Sequence, residues 1–172
     1  MSASVAFVGL GSNLAHPRRQ IARALRALAR AAGVRLLAVS PSYVSAPVGC
    51  AAPQPDYVNG VAALKTTLGA RALLATLHRL ERRQHRRRAD EPQRNAPRTL
   101  DLDLLLFGRR RLRLPGLTVP HPRMHERAFV LRPLADIAAN VTIPGRGLAR
   151  RRLATVRGQR IARTRSHPRL GP

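Results

Sequence analysis

Residues 94–108, RNAPRTLDLDLLLFG, place two carboxylates inside an apolar run. Pro97 cannot continue a sheet ladder, and it favours an extended backbone at the residue before it. From Thr99 onward the pattern predicts a strand, in which alternate side chains share a face. The even-numbered leucines from 100 to 106 then lie on one face, and the opposite face carries Asp101, Asp103, Leu105 and Phe107.

Two carboxylates on an otherwise apolar strand face are costly unless a cation satisfies them. Mg²⁺ would do so, because it prefers oxygen ligands and keeps substrate phosphates among them. Arg98 stands just before the pair, where it could hold phosphate oxygens. The alternative is that Asp101 and Asp103 form ion pairs with two of the many arginines. The chain has only 8 Asp and Glu residues, so two on one strand face favour the metal.

The hydrophobic periodicity of the chain alternates between strand and helix. It predicts strands at residues 4–11, 34–44 (interrupted at Ser40-Pro41), 57–65 and 99–107, and helices at residues 17–32 and 69–84. Two long loops separate these elements, at residues 45–55 and 85–97. Beyond them we expect a hairpin in residues 109–119, short helical turns, a short helix near residues 148–156 and an edge strand near Ile161.

The element order is that of a split βαβ unit, so the predicted fold is α+β and ferredoxin-like. We expect a mostly antiparallel sheet with both helices on one face. The other face would carry the aspartates and lie open, with the two long loops over it as lids. Residues 1–160 would form one domain, followed by a basic, flexible tail at residues 161–172.

Composition limits the class of protein. The 172 residues carry 32 Lys and Arg against 8 Asp and Glu, a net charge of +24. Such a charge could bind nucleic acid, attract polyanionic small substrates, or reflect genome bias, since Lys65 is the only lysine. A single cysteine, Cys50, excludes an internal disulfide and a zinc site made of cysteines. Without a signal peptide or a membrane span, we expect a cytoplasmic protein. We also expect a monomer.

Four segments together resemble the 6-hydroxymethyl-7,8-dihydropterin pyrophosphokinases of folate biosynthesis. They are GSNL (11–14), QPDYVN (54–59), RNAPRTLDLDLL (94–105) and VPHPRMHERAFVLRPL (119–134). The resemblance implies transfer of the β,γ-pyrophosphoryl group of ATP to the hydroxymethyl oxygen of the pterin, with release of AMP. It also implies two Mg²⁺ ions and no membrane partner.

The resemblance assigns site residues in three groups. Asp101 and Asp103 would bind both metal ions and, with Arg86 and Arg98, would be catalytic. ATP would be bound by Glu81, Arg86, Arg88, Arg98, His121 and Arg127. The pterin would be bound by Ser45, Pro47, Val48, Tyr57, Asn59 and Phe129. From the residues alone, Glu81 could form a surface ion pair, Arg86 and Arg88 could be part of a solvated charge run, and Phe129 could fill the core.

Two other functions fit parts of the sequence. A nucleic-acid binder would share the split βαβ fold and the basic charge, but such modules stack bases on strand aromatics. The first strand offers only Phe7, so we expect no specific nucleic acid and at most weak binding by the tail. A family member that binds without turnover is opposed by the intact Arg98, Asp101, Asp103 and His121.

Overall fold

The computed structural model describes residues 2–50, 53–85 and 96–164. The strands are β1 Ser4–Ser12, β2 Val34–Val39, β3 Tyr43–Ser45, β4 Tyr57–Thr66, β5 Asp101–Phe107, β6 Leu112–Leu114, β7 Leu117–Val119, β8 Thr142–Ile143, β9 Gly147–Leu148 and β10 Ile161–Arg163. The helices are α1 Pro17–Ala29, α2 Ala70–Arg83, α3 Ala128–Ile137 and α4 Ala149–Arg152, with 3₁₀ turns at Met124–Glu126 and Leu153–Val156.

The main sheet is antiparallel throughout, in the order β10-β3-β4-β1-β5. Strand β2 pairs with residues 62–66 of β4, and strand β3 pairs with residues 57–59 of the same strand. The break between β2 and β3 falls at Ser40-Pro41, where proline cannot continue the ladder. Ser40 bridges the break, because its backbone N–H donates to the Val61 carbonyl and its Oγ accepts from the Val61 N–H, both at 2.9 Å. The predicted split βαβ order is confirmed.

The first core lies between the sheet and helices α1 and α2. Leucines at helical spacing on both helices, such as Leu25 and Leu73, are fully buried against alternate residues of β1, such as Val8. Arginines occupy the solvent side of α1. Helix α1 ends at Ala29, three residues before the predicted end, and Gly33 adopts φ 73° at the turn into β2, which suits glycine.

The alternation predicted for β5 is wrong at its distal end. The pairing of β1 with β5 shifts register between Phe7 and Val8, so β5 contains one residue more than its partner there. Beyond this bulge the faces exchange. Phe107 packs in the first core with Leu104, while Leu106 packs on the opposite face.

The expectation that the second face of the sheet lies open is also wrong. Helix α3 crosses part of it and forms a second core with α4 and the 3₁₀ turns, including Val61, Met124, Leu131 and Leu134. Among the described residues, the part of this face around the aspartates is left uncovered by α3 and opens into a cavity. The long loop after β3 adjoins this part through residues 45–50. Most of the second predicted lid, residues 86–95, lies outside the described residues.

The segments after β5 follow the prediction closely. Strands β6 and β7 form the expected hairpin, and α4 continues into a 3₁₀ turn within residues 148–156. Strand β10 pairs with β3, so the sheet extends past residue 160, the predicted end of the domain. Residues 165–172 of the predicted tail lie outside the described part. Within the described part, no helix is long and apolar enough to cross a membrane.

Candidate active site

A cavity of about 710 Å³, including its open mouth, lies on the uncovered part of the second sheet face. Its walls come from β1, the loop after β3, β4, β5 and the start of α3. Both strand aspartates, Asp101 and Asp103, line it, and so do three arginines: Arg98, Arg123 and Arg127. The cavity therefore combines carboxylates and guanidinium groups with the aromatic side chains of Tyr57 and Phe129.

Two glycines of β1 form the floor of the cavity. Gly9 pairs with Asp103 and Gly11 pairs with Asp101, so each aspartate has a neighbour without a side chain. A Cβ at Gly11 would lie 3.6 Å from both Asn59 Oδ1 and the Asp101 Cβ. A larger side chain would fill the space between them. The sequence interpretation took these glycines only as a strand exit and missed their role.

Asp101 and Asp103 fit a Mg²⁺ site of the kind that substrate completes. They are two residues apart on the same strand face, and their side chains keep 21% and 30% exposure towards the cavity. No group of three or more His, Cys, Asp or Glu residues able to hold a metal occurs in residues 2–50, 53–85 and 96–164. A protein site with two carboxylates and open positions suits Mg²⁺, which retains water and binds substrate phosphates.

Arg98 is fixed beside Asp101 by several hydrogen bonds. Its NH1 lies 3.0 Å from Asp101 Oδ2, and its Nε donates to the Ala96 carbonyl at 3.0 Å. Its backbone N–H donates to Asn13 Oδ1 at 2.8 Å. The Asn13 amide also donates to Gln54 Oε1 and to the Pro55 carbonyl. Asn13 thus joins the loop before β4 to the loop before β5.

His121 and Arg127 approach the second aspartate. His121 Nε2 lies 4.0 Å and Arg127 NH1 lies 3.9 Å from Asp103 Oδ2. Burial lowers the pKa of His121 to about 4, and the nearby Arg127 acts in the same direction. The Nδ1 of His121 accepts the Arg123 backbone N–H at 3.2 Å, so the neutral ring carries its proton on Nε2. This N–H is available to a phosphate oxygen at the aspartate side.

Tyr57 and Asn59 stand on β4, where Asn59 pairs with Gly11, the residue of β1 that also pairs with Asp101. The Tyr57 hydroxyl is 3.1 Å from Gln54 Oε1 and 3.3 Å from the Ala96 carbonyl, and burial raises its pKa. Asn59 is buried, and its Nδ2 donates to Ser45 Oγ at 2.9 Å. Phe129 is partly buried at the rim, with Arg127 Cζ 5.5 Å from its ring centre. Aromatic faces and an amide edge suit a flat heterocycle.

A second groove, of about 780 Å³ with its open mouth, continues beyond Asp103. It is lined by Asp103 and His121 together with apolar residues of α2, β5 and the β6–β7 hairpin, including Leu74, Leu104 and Leu117. The aspartate strand therefore lies between an aromatic cavity and an apolar groove. Two substrates could meet there with their reacting groups at the carboxylates.

The structure brings most of the predicted site residues together. The cavity contains Ser45, Val48, Tyr57, Asn59, Arg98, Asp101, Asp103, Arg127 and Phe129, and His121 lines the adjoining groove. Pro47 lines neither. Glu81 is 1% exposed and lines neither, and its Oε1 accepts the Leu102 N–H at 2.8 Å. Arg86 and Arg88 lie outside the described residues. Sequence reasoning missed the roles of four residues: Gly9, Gly11, Asn13 and Arg123. Of these, Gly11 and Asn13 lie in the GSNL segment, which gave the only signal for them.

A family model described as 7,8-dihydro-6-hydroxymethylpterin-pyrophosphokinase (HPPK) matches residues 7–139. The chain belongs to this family. The match spans β1 to the end of α3 and therefore includes every wall of the cavity described above. The resemblance inferred from the four sequence segments is confirmed.

Curated members of the family are similar along most of the chain. The 2-amino-4-hydroxy-6-hydroxymethyldihydropteridine pyrophosphokinase of Pseudomonas aeruginosa is 54% identical over 138 residues, which cover 80% of this chain and 83% of that protein. The protein of the same name from Haemophilus influenzae is 42% identical over 139 residues, covering 81% and 84%.

Solved structures share the fold. Wild-type Plasmodium falciparum HPPK-DHPS with pteroate matches with a TM-score of 0.69 at 11% sequence identity. The match covers 90% of this chain and 42% of that chain, so this chain spans less than half of that longer protein. At this identity the likeness concerns the fold alone, and it agrees with the ferredoxin-like sheet.

Proposed function

We propose that the chain transfers the β,γ-pyrophosphoryl group of ATP to the hydroxymethyl oxygen of 6-hydroxymethyl-7,8-dihydropterin, a step of folate biosynthesis. Membership of the pyrophosphokinase family supports the reaction class. The observation that carries the proposal is the position of Asp103, which lines both the aromatic cavity and the apolar groove, with Asp101 two residues away in the cavity. A transfer reaction between two bound substrates needs this arrangement.

Each substrate is assigned to one compartment. The pterin fits the cavity, where Tyr57 and Phe129 offer ring faces and Asn59 offers an amide beside Ser45. The adenosine of ATP fits the apolar groove near Leu74, and its phosphates then extend past His121 to the aspartates. Glu81 is buried below β5, which supports a role in holding that strand instead of an ATP contact.

Asp101 and Asp103 would hold two Mg²⁺ ions, which neutralise charge on the transferring phosphates. The pterin hydroxyl oxygen forms a bond to the β-phosphorus and its proton is released to water. The bond from that phosphorus to the α,β-bridging oxygen breaks, and AMP leaves with the electron pair. Arg98 and Arg127 present guanidinium groups to phosphate oxygens, and the neutral His121 donates from Nε2. The predicted contributions of Arg86 and Arg88 remain part of the proposal.

The experiment measures AMP and ADP formed from ATP, with and without 6-hydroxymethyl-7,8-dihydropterin, at saturating Mg²⁺. We expect AMP that depends on the pterin, and no ADP. Asp101→Asn and Asp103→Asn should each lower kcat by about 100-fold or more, because one acceptor of the metal charge is lost while shape is kept. Formation of ADP, or wild-type rates in both variants, would refute the proposal. The monomeric state and the cytoplasmic location stay predictions from the sequence.

A further inference from the structure

The start of α3 carries two side chains of the site but lacks a local cap. Arg127 occupies the N-cap position, and its side chain makes no capping hydrogen bond to the helix. Its backbone is extended, at φ −122° and ψ 111°, between the 3₁₀ turn and the helix. Helices usually satisfy their first N–H groups with a Ser, Thr, Asp or Asn at this position. Here the site requires an arginine at that position, so the capping group must come from elsewhere.

Gln159 supplies that group from a distant part of the chain. Its Oε1 accepts the Ala128 N–H at 2.8 Å, and its Nε2 donates to the Glu126 carbonyl at 2.6 Å. One side-chain amide thus binds the backbone on both sides of Arg127. Two opposed hydrogen bonds across three residues hold that backbone extended, much as a neighbouring strand would. The side chain of Arg127 leaves this held position towards Asp103.

Gln159 is itself anchored on both sides. Its backbone N–H donates to the carbonyl of Val156, a residue buried in the second core. Two residues later Ile161 begins β10, which pairs with Ser45 at the cavity wall. Arg160 lies 3.4 Å from Asp56, just before β4. The amide is therefore fixed relative to both α3 and the strands that line the cavity.

We infer that Gln159 is a positioning residue for pyrophosphoryl transfer, which sets the direction of Arg127 by clamping the backbone of residues 126–128. It lies beyond residues 7–139, the part that the family model matches. The inference rests on the proposed function in one respect, because that function is what assigns a phosphate to Arg127. Gln159 acts through Arg127 and touches no substrate.

The test compares Gln159→Ala with Thr155→Val, a control in the same terminal segment. The Thr155 hydroxyl donates only within that segment in the contacts described, to the Arg152 carbonyl at 2.8 Å. We expect Gln159→Ala to lower kcat/KM for ATP by about tenfold, in line with loss of two hydrogen bonds, while Thr155→Val keeps the wild-type value. Gln159→Ala should also lower the unfolding midpoint, because the Ala128 N–H and the Glu126 carbonyl lose their partner, so activities are compared at a temperature at which both variants are folded.

A double-mutant cycle separates positioning from a general loss of stability. In an Arg127→Ala background, adding Gln159→Ala should cause no further loss of kcat/KM. Wild-type kinetics in Gln159→Ala, or losses that multiply in full in the double variant, would overturn the inference. Gln159→Glu, which keeps the acceptor but lacks the donor to Glu126, should fall between wild type and Gln159→Ala.

Amide hydrogen exchange tests the clamp without reference to turnover. Exchange of the Ala128 N–H should speed up in Gln159→Ala and stay unchanged in Thr155→Val. Unchanged exchange in Gln159→Ala would overturn the clamp. If the wild-type protein forms no pterin-dependent AMP, the proposed function fails, and the exchange experiment still reports on the clamp.

Discussion

At the scale of single residues, the site depends on side chains held in defined protonation and hydrogen-bonding states. His121 is the clearest case, because burial favours the neutral ring and the Arg123 N–H fixes its tautomer. A cationic ring would add positive charge beside Arg127, while a neutral ring still donates one N–H. The ring therefore stays neutral across the physiological pH range, and in the proposed function it would offer its Nε2 proton to a phosphate oxygen.

We predict that the His121 ring titrates near pH 4 in the folded protein. The unfolded chain takes up this proton near the ordinary value of 6.5, so the free energy of unfolding is unaffected by it above pH 6.5. The free energy of unfolding decreases as the pH falls from 6.5 to about 4, since protons bind the unfolded state first. Ring-proton NMR measures the titration, and urea unfolding at several pH values measures the stability.

His121→Gln provides the control for this titration. It keeps a side-chain donor without an ionisable ring, so its stability should depend less on pH between 6.5 and 4. A His121 midpoint at or above 6.5 would contradict the assignment of a neutral donor.

Asn13 gives a second prediction at this scale. It is 3% exposed, and its side chain binds Gln54, Pro55 and the backbone of Arg98. Asn13→Ala should lower the free energy of unfolding by about 1–3 kcal/mol, because buried backbone groups lose their partners. It should also weaken pterin binding, which fluorescence titration measures.

Asn13→Asp keeps the acceptor for Arg98 but loses the donors to the other loop. Asn13→Asp should therefore break the hydrogen bonds to Gln54 and to the Pro55 carbonyl and keep the one from the Arg98 N–H. Leu14→Ala, at the exposed neighbouring position, should change little. Equal losses in Leu14→Ala and Asn13→Ala would show that the loop junction does not depend on the asparagine amide.

At the scale of elements, β5 is held from below by α2. Glu81 accepts the N–H of Leu102, the residue between the two aspartates. Glu81→Ala should lower the free energy of unfolding by about 1–3 kcal/mol and also reduce turnover, because the strand that carries Asp101 and Asp103 loses a support. Chemical denaturation and AMP assays measure the two effects.

Glu81→Gln is the matched variant for that experiment. It retains an oxygen acceptor of nearly the same shape, so its loss of stability should be smaller than that of Glu81→Ala. A Glu81→Gln variant with normal stability but greatly weakened ATP binding would favour the direct nucleotide contact expected from the resemblance.

The elements show which features a sequence pattern can reveal. Period-two and helical repeats are local, so the order of strands and helices could be predicted from them. The shared face of Asp101 and Asp103 could be predicted as well, because both residues lie on one strand. The inward turn of Glu81 and the junction at Asn13 depend on contacts between residues far apart in the chain. Likewise, the coverage of the second face by α3 depends on where the chain returns after the hairpin, which periodicity does not encode.

At the scale of the whole molecule, charge is the dominant feature. A net charge of +24 produces a positive potential that attracts ATP before contact. We predict that kcat/KM for ATP falls by about tenfold or more between low salt and roughly 0.5 M salt, as screening shortens the range of that potential. Steady-state assays over a KCl series measure the effect.

The uncharged pterin serves as the internal control for this series. Its kcat/KM, measured at saturating ATP, should vary much less with salt. An equal salt dependence for both substrates would indicate a change in the protein and not in electrostatic attraction.

The bulge between β1 and β5 has a consequence for how this strand can evolve. Leu104 and Phe107 face one core, and Leu105 and Leu106 face the other, so the extra residue lets a short strand serve both. Exchanges among apolar side chains are tolerable here, since volume and polarity are largely kept. A one-residue deletion or duplication between Asp103 and Gly108 would instead turn the following side chains to the wrong layer. In homologous chains, the identities of the apolar residues along this strand should therefore vary, while the number of residues in the strand stays constant.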